Sequence, residues 1–460
     1  MEQSEELMEI MKKTECPFTW DLDEIKEIIS NYQESRNHDD EDFVPLLKWI
    51  RLLVNAYESV QKKNLIEAFD YLKSAEDTWN SVKEKHGNSI SLNLLENIYN
   101  CTKCFVLFEE NRFDEIGEIL TNLNKDVNCM NNVIDRSTLN GCKSIAWSKY
   151  KEAGESGIKR ALNYINSALE DNKNCDVWYF ILGKNLRRQR RMGNFLSHPT
   201  KKEEMSFQKA YELSKEPTFG IYFAQLHKEK RNTQRALKIY QDIYDSKPES
   251  TTIHLRLALG FMRLGNNFSL AKQCLDYAEK RIPNDSMFLH YKGIYFENRK
   301  NFKEAAKYYK RACDGNNFGA ENSFLKCQAK AHEKYDFVKH LKEMLVTYKN
   351  QEGRILDITL QLAACYYMYN HDIPNAAKYY LEAFEKFPNN SVFEFHQCIL
   401  GGRTCIYTFL QRDFLPNALA TTNSDSETIK ICKKLQEICN NRVRVQRKKN
   451  ELNFSKMRIS

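Results

Sequence analysis

Glycine and proline are scarce in this 460-residue chain, at 16 and 9 residues, and no apolar run approaches the roughly 20 residues that a membrane-spanning helix needs. The first shortage leaves little room for linkers or low-complexity sequence, so most of the chain is expected to be folded and helical. The second excludes helical integral membrane proteins, and no membrane partner is expected. The stretch from Met1 to Lys13 is acidic and lacks the basic and apolar regions of a secretory signal. The fourteen cysteines are therefore expected to be reduced thiols in a cytoplasmic protein. One CxxC pair occurs, Cys101 and Cys104, without a second pair or a nearby HxxxH to complete a zinc site. Two small buried residues on one helical face account for it, and no metal is assigned. There is no Walker-type glycine loop, Gly401-Gly402 reads as a helix end, and no histidine stands at a telling distance from a cysteine or serine nucleophile. Neither an enzyme nor a cofactor is expected.

What is present is a repeat. Ala236-x3-Tyr240-x2-Ile243-x4-Pro248, Ala271-x3-Leu275-x2-Ala278-x4-Pro283 and Ala376-x3-Tyr380-x2-Ala383-x4-Pro388 share one spacing, that of the second half of a tetratricopeptide repeat. The small residue opening each second helix recurs at Ala68, Ile116, Ala161, Ala236, Ala271, Ala305 and Ala376. A degenerate unit around Asn322 to Tyr348 fills the double gap before Ala376. An insertion with Gly193 and Pro199 lies in the long step after Ala161 and reads as a loop. Small residues at helix crossings are supplied by Gly183, Ala224, Gly293 and Ala364, with Leu259 at that position in another unit. The fold class is thus all-α: a tetratricopeptide-repeat superhelical solenoid of eight or nine helical hairpins with atypical terminal caps. Residues 1–45 are expected to form a helical cap, 46–213 and 214–390 two stretches of the repeat array, and 391–460 a second helical cap with a basic tail. A surface loop is expected from Thr421 to Thr428.

The net charge of +7 is mild, but its placement is not. Lys184, Arg187, Arg188, Arg190 and Arg191 crowd one helix end, and Arg442, Arg444, Arg447, Lys448 and Lys449 form the tail. With the crossing residue as position 8 of each first helix, positions 5 and 12 share a side at 100° per residue. Arg187 and Lys228 then fall at position 12 of their hairpins, Arg256 and Arg263 at 5 and 12 of the next, and His290 at 5 of the following one. Lys184 stands one residue past its crossing. Four consecutive hairpins thus offer cations to one inner surface, with Arg256 and Arg263 about 10 Å apart along a regular helix. Planar guanidinium forks suit phosphate oxygens, whereas the same pattern also arises from solvated helix faces. His227 and His254 read as exposed or groove-lining.

These residues carry a resemblance. Cys16-Pro17-Phe18-Thr19-Trp20-Asp21-Leu22, then Leu52-Leu53-x-x-Ala56-Tyr57 followed by Asn64, Ala68, Leu72, Ala75 and Glu76, and Trp147-x3-Lys151 ahead of Ala161 and Ala168-Leu169 are similar in order and spacing to the interferon-induced proteins with tetratricopeptide repeats. The similarity covers roughly residues 15 to 310; the last third matches only as generic repeats. The resemblance implies a non-enzymatic protein of antiviral innate defence that captures the 5′ end of single-stranded RNA, as a triphosphate or an incompletely methylated cap. It implies Lys151, Arg187, Arg256 and Arg263 as phosphate ligands, with Lys184 and Lys228 adding charge. It implies His290 against the following nucleotides; Tyr291 and Trp147 are read as aromatic faces for a base, though Trp147 reads equally as a core residue. Homo- or hetero-oligomers with related repeat proteins are a further expectation. The chain departs from the family at Ile253 and Leu257, where tyrosines are usual, at Tyr291, where a glutamine is usual, and at Glu152-Ala153-Gly154, where a glycine pair is usual. The competing function is a repeat scaffold that binds acidic or C-terminal peptides.

Overall fold

In the computed structural model, each tetratricopeptide spacing becomes a helix whose fourth residue is the small one. Ala68, Ile116, Ala236, Ala271, Ala305 and Ala376 each occupy that place, and each is fully buried. The structure describes residues 2–22, 44–87, 89–123, 132–149, 154–193, 197–315, 317–331, 334–388, 390–421 and 426–457.

The chain divides into two compact units, Met1–Ala278 and Glu279–Ser460. In the first, α1 (Glu2–Met11) and a 3-10 turn (Pro17–Thr19) precede six helix pairs: α2 (Pro45–Gln61) with α3 (Leu65–His86), α4 (Leu92–Glu109) with α5 (Phe113–Asn122), α6 (Val133–Lys149) with α7 (Glu155–Asp171), α8 (Asp176–Gly193) with α9 (Lys201–Ser214), α10 (Pro217–Glu229) with α11 (Thr233–Asp245), and α12 (Thr251–Gly260) with α13 (Phe268–Glu279). The second unit holds α14 (Ser286–Asn298) with α15 (Phe302–Cys313), α16 (Phe318–Ala331) with α17 (Phe337–Thr347), and α18 (Glu352–Met368) with α19 (Ile373–Lys386). The degenerate unit is therefore a helix pair, and nine pairs occur among the described residues.

The turns inside the pairs follow one local rule. Lys63, Asn111, Arg231, Lys300 and His371 adopt left-handed backbone angles, φ 55° to 60°. After four of them comes an Asn or Asp that caps the next helix: Asn64, Asn232, Asn301 and Asp372 each accept a backbone N–H three residues on. The Arg231 and Asn232 amides return to the carbonyls of Lys228 and His227, closing the end of α10. Prolines 248, 283 and 388 stand two to four residues beyond the ends of α11, α13 and α19, where no further helical N–H is required.

Crossings are close where the sequence is small. A Cβ on Gly183 would lie 2.8 Å from the Phe207 ring, and one on Gly293 2.5 Å from Tyr309. Leu259 is not such a crossing: it is only half-buried, and the adjoining Gly260 faces Tyr240 of the preceding pair at 2.6 Å. The helix there continues into a π turn, Phe261–Gly265.

The N-terminal element docks through aromatic packing. Phe18 stacks on Phe105 at 4.6 Å and meets Tyr57 edge-on at 4.9 Å, while Trp20 is buried and donates to Glu15 at 3.0 Å. The C-terminal cap is not wholly helical. A two-stranded antiparallel hairpin, β1 (His396–Cys398) and β2 (Gly402–Thr404), precedes α20 (Ile406–Phe409), a π turn (Leu410–Phe414), α21 (Leu415–Thr421) and α22 (Ser426–Met457). Gly402, at φ +81°, opens β2 directly after the hairpin turn, where the sequence suggested a helix end. Gln361, 1% exposed on α18, accepts the Ile399 N–H at 2.9 Å and donates to the Gln397 carbonyl at 2.7 Å. The last helix starts at Ser426, inside the expected loop; residues 422–425 lie outside the described set. Arg442 pairs with Glu394 beside Tyr407, and the tail side chains from Val443 onward, those of Arg444, Arg447, Lys448 and Lys449 included, lie outside the described residues.

Gly293→Ala should lower stability by about 2 kcal/mol, because the new methyl overpacks the Tyr309 ring. Gly117→Ala, on α5 with no neighbour within 4 Å of the new Cβ, should raise it by about 0.5–1 kcal/mol through helix propensity. Urea unfolding of the two variants checks both signs.

Candidate nucleic-acid interface

The first helices α8, α10 and α12, with the π turn, carry the cations read from the sequence in the first unit. Tyr222 of α10 stands between two of them: the Lys184 Nζ lies 5.6 Å from its ring centroid and the Arg187 guanidinium carbon 5.3 Å. Arg187 also covers Phe207 at 4.6 Å and donates to the Tyr222 carbonyl at 3.2 Å. Only 7% of its side chain is exposed. It is a buried cation held by aromatic faces and by carboxylates.

The carboxylates are what the charge pattern alone did not reveal. Glu203, with no exposed side chain, takes Arg187 Nε at 3.2 Å and Arg190 Nε at 2.8 Å. It is the third residue of α9, and Thr200 caps that helix by accepting the Glu203 N–H at 3.1 Å. The helix N-terminus favours a carboxylate there. Glu229, the last residue of α10, takes Arg190 Nη2 at 2.6 Å and Arg191 Nη2 at 2.7 Å, with Arg187 Nε at 3.9 Å. Burial alone would raise Glu229; Arg187, Arg190 and Arg191 outweigh it and hold the carboxyl below the usual glutamate range. Burial pulls Arg187 below the usual arginine range, with Glu229 and Glu203 opposing. Three guanidinium groups thus face two carboxylates, leaving one positive charge in excess.

Lys228 and Arg263 extend the set. Both are exposed, and among the described residues neither forms an ion pair. Desolvation, then the like charge of Arg263, hold Lys228 below the usual lysine range, with Glu229 pulling the other way. Contacts therefore link Lys184 and Arg187 through Tyr222, while Lys228 precedes Glu229 at the end of α10 and feels the charges of Arg263 and Glu229. Arg256 is half-buried on α12, between the buried Ile253 and Leu257 in sequence. Its expected alignment with Arg263 assumed 100° per residue throughout; the π turn inserts a wider turn between them and shifts the phase.

Other expected residues are placed differently. Lys151, with Glu152 and Ala153, lies outside the described residues. Trp147 is fully buried under the Arg160 guanidinium at 4.5 Å, which makes it a core residue with no open face for a base. His227 and His254 are buried rather than groove-lining: His227 packs on Phe223 at 4.6 Å, and His254 stacks on Tyr277 at 3.8 Å with Nε2 2.9 Å from the Pro248 carbonyl oxygen. His290 and Tyr291 belong to the second unit. There His290 is half-buried, edge-on to Tyr291 at 5.9 Å and Tyr309 at 5.6 Å, and Tyr291 is buried. Cys101 and Cys104 are buried on α4, and burial pushes their thiols up to about 11 and about 12. Among the described residues no group of three or more His, Cys, Asp or Glu could hold a metal, and no helix is long and apolar enough to cross a membrane.

The tetratricopeptide-repeat family matches residues 255–320. No curated protein matches the sequence. Among solved structures, the human IFIT1 dimer with m7Gppp-AAAA is 15% identical and covers 97% of this chain and 99% of its own, with a TM-score of 0.61. The human IFIT1 dimer with PPP-AAAA is 15% identical over 95% of this chain and 96% of its own, with a TM-score of 0.58. At that identity the likeness establishes the fold: an all-α tetratricopeptide-repeat array.

Glu203→Gln should destabilise the first unit by about 3 kcal/mol, since it leaves Arg187 and Arg190 buried with one fewer countercharge. A fall in the urea midpoint of that size, larger than for exposed Glu212→Gln, is the expected result.

Proposed function

We propose that this protein is a non-enzymatic cytoplasmic binder of single-stranded RNA 5′ ends, a triphosphate or an incompletely methylated cap, acting in antiviral defence by sequestering such RNA. The observation that carries the reading is the cluster at the end of α8, where the guanidinium groups of Arg187, Arg190 and Arg191 outnumber the carboxylates of Glu203 and Glu229. Lys228 and Arg263 add exposed positive charge with no ion pair among the described residues, and a bound polyanion would balance the excess. Lys184 and Arg187 continue the same set, and the resemblance adds Lys151 and Arg256 as phosphate ligands. Likeness in fold to IFIT1 structures holding m7Gppp-AAAA and PPP-AAAA supports the same reading. Phosphate contacts of this kind carry affinity without reading sequence, and they weaken with salt.

The test compares one RNA oligonucleotide with a 5′-triphosphate or a 5′-hydroxyl. Triphosphate RNA should bind at least about tenfold tighter at low salt, and the gap should narrow as salt rises. The double variant Lys228→Glu, Arg263→Glu should lose the difference while keeping its helical circular dichroism. Equal affinities for the two RNAs in the unaltered chain would remove the proposal and leave a peptide-binding scaffold, whose acidic ligands the same cations suit.

A further inference from the structure

The two carboxylates in the arginine cluster are not equivalent. Glu203 is wholly enclosed and touches Arg187 and Arg190, the two arginines whose side chains are 7% and 5% exposed. It is a fixed countercharge. Glu229 is 26% exposed and closes the last turn of α10. Its two oxygens bridge Arg190 and Arg191 at 2.6 and 2.7 Å. A phosphate group fits that arrangement equally well, with one oxygen to each guanidinium. Glu229 is preceded on α10 by the exposed Lys228, its neighbour in sequence. Were Glu229 to swing outward, Arg187 would keep Glu203, the Tyr222 carbonyl and its two aromatic faces. No buried cation would be stranded, and the cluster would hold three guanidinium groups against one carboxylate.

We propose that Glu229 is an exchangeable internal counter-ion, displaced when the 5′-triphosphate of a bound RNA takes its place between Arg190 and Arg191. The inference rests on the RNA reading above and gives it a basis for selectivity. A singly charged phosphodiester gains nothing by replacing a carboxylate of equal charge. A triphosphate brings several charges, which the uncovered arginines, Lys228 and Arg263 can share. Glu229 therefore raises the threshold against hydroxyl-ended RNA and internal phosphates, a selection by penalty rather than by added contact.

Inorganic tripolyphosphate, titrated calorimetrically into the full chain, is the direct probe, with the two RNAs measured alongside. Glu229→Gln removes the competing charge and should bind tripolyphosphate about tenfold tighter. The same variant should bind 5′-hydroxyl RNA more tightly as well, so that the triphosphate preference shrinks. Unchanged or weaker tripolyphosphate binding, in a variant with the circular dichroism and thermal midpoint of the unaltered chain, overturns the inference. Should Glu229→Gln not fold, Glu229→Asp decides. Its shorter side chain keeps the charge but draws the carboxylate one methylene back from the two guanidinium groups, so it should tighten tripolyphosphate binding about threefold, and no gain overturns the inference. The two ideas fail separately. A Glu229→Gln gain beside equal binding of the two RNAs by the unaltered chain supports the counter-ion and sinks the RNA reading. A triphosphate preference without that gain does the reverse.

Discussion

A helical hairpin can bury its apolar stripe only against its neighbours, and the whole chain depends on how closely its helices may approach. The approach is set by residues with almost no side chain, an alanine at the fourth position of second helices and a glycine beneath Phe207 or Tyr309. Rings occupy the space that these residues vacate. Once the apolar sides are fixed in this way, each first helix has a defined polar side. The arginines of α8 reach the end of α10 because the hairpins beneath them stack.

The arginine cluster shows the other constraint on that polar side. Arg187 and Arg190 could not be enclosed without compensation, since an unpaired buried charge is costly. Compensation came from Glu203, held at the start of α9 by the Thr200 cap, and from Glu229 at the end of α10. The cluster is therefore both a structural joint and a region of slight positive excess. Lys228, next to Glu229 in sequence, and Arg263 carry their charge into solvent. One part of the surface is rigid and nearly neutral, and the part next to it is accessible and cationic.

Most of the architecture was legible in the sequence. The Ala-x3-Tyr-x2-Ile-x4-Pro spacing placed the second helices and their ends, and Gly183 and Gly293 marked two crossings. The degenerate unit after Asn322 was found from spacing alone. The β hairpin at His396–Thr404 was not found, because three-residue strands carry no period and Gly401-Gly402 suits a helix end as well as a turn. The site was read less well, for a clear reason. Cations were counted along helices, but their partners Glu203 and Glu229 come from other helices, 16 and 42 residues beyond Arg187. The α9 capping pattern, Thr200 followed by Glu203, was the one visible hint of a fixed carboxylate. Leu259 misled the register because a π turn follows it, and residue spacing does not mark such a turn.

The Gln361 contact bears on how the chain behaves beside other copies of itself. Short strands at the end of a helical array offer unpaired peptide groups, and such edges invite pairing with any extended segment nearby. Here the side-chain amide of Gln361 takes a carbonyl and an N–H flanking Cys398, as a third strand would. That edge is sealed from within. Growth of an intermolecular sheet is left to the far side of β2, three residues long and opened by a glycine, which makes a poor template for aggregation.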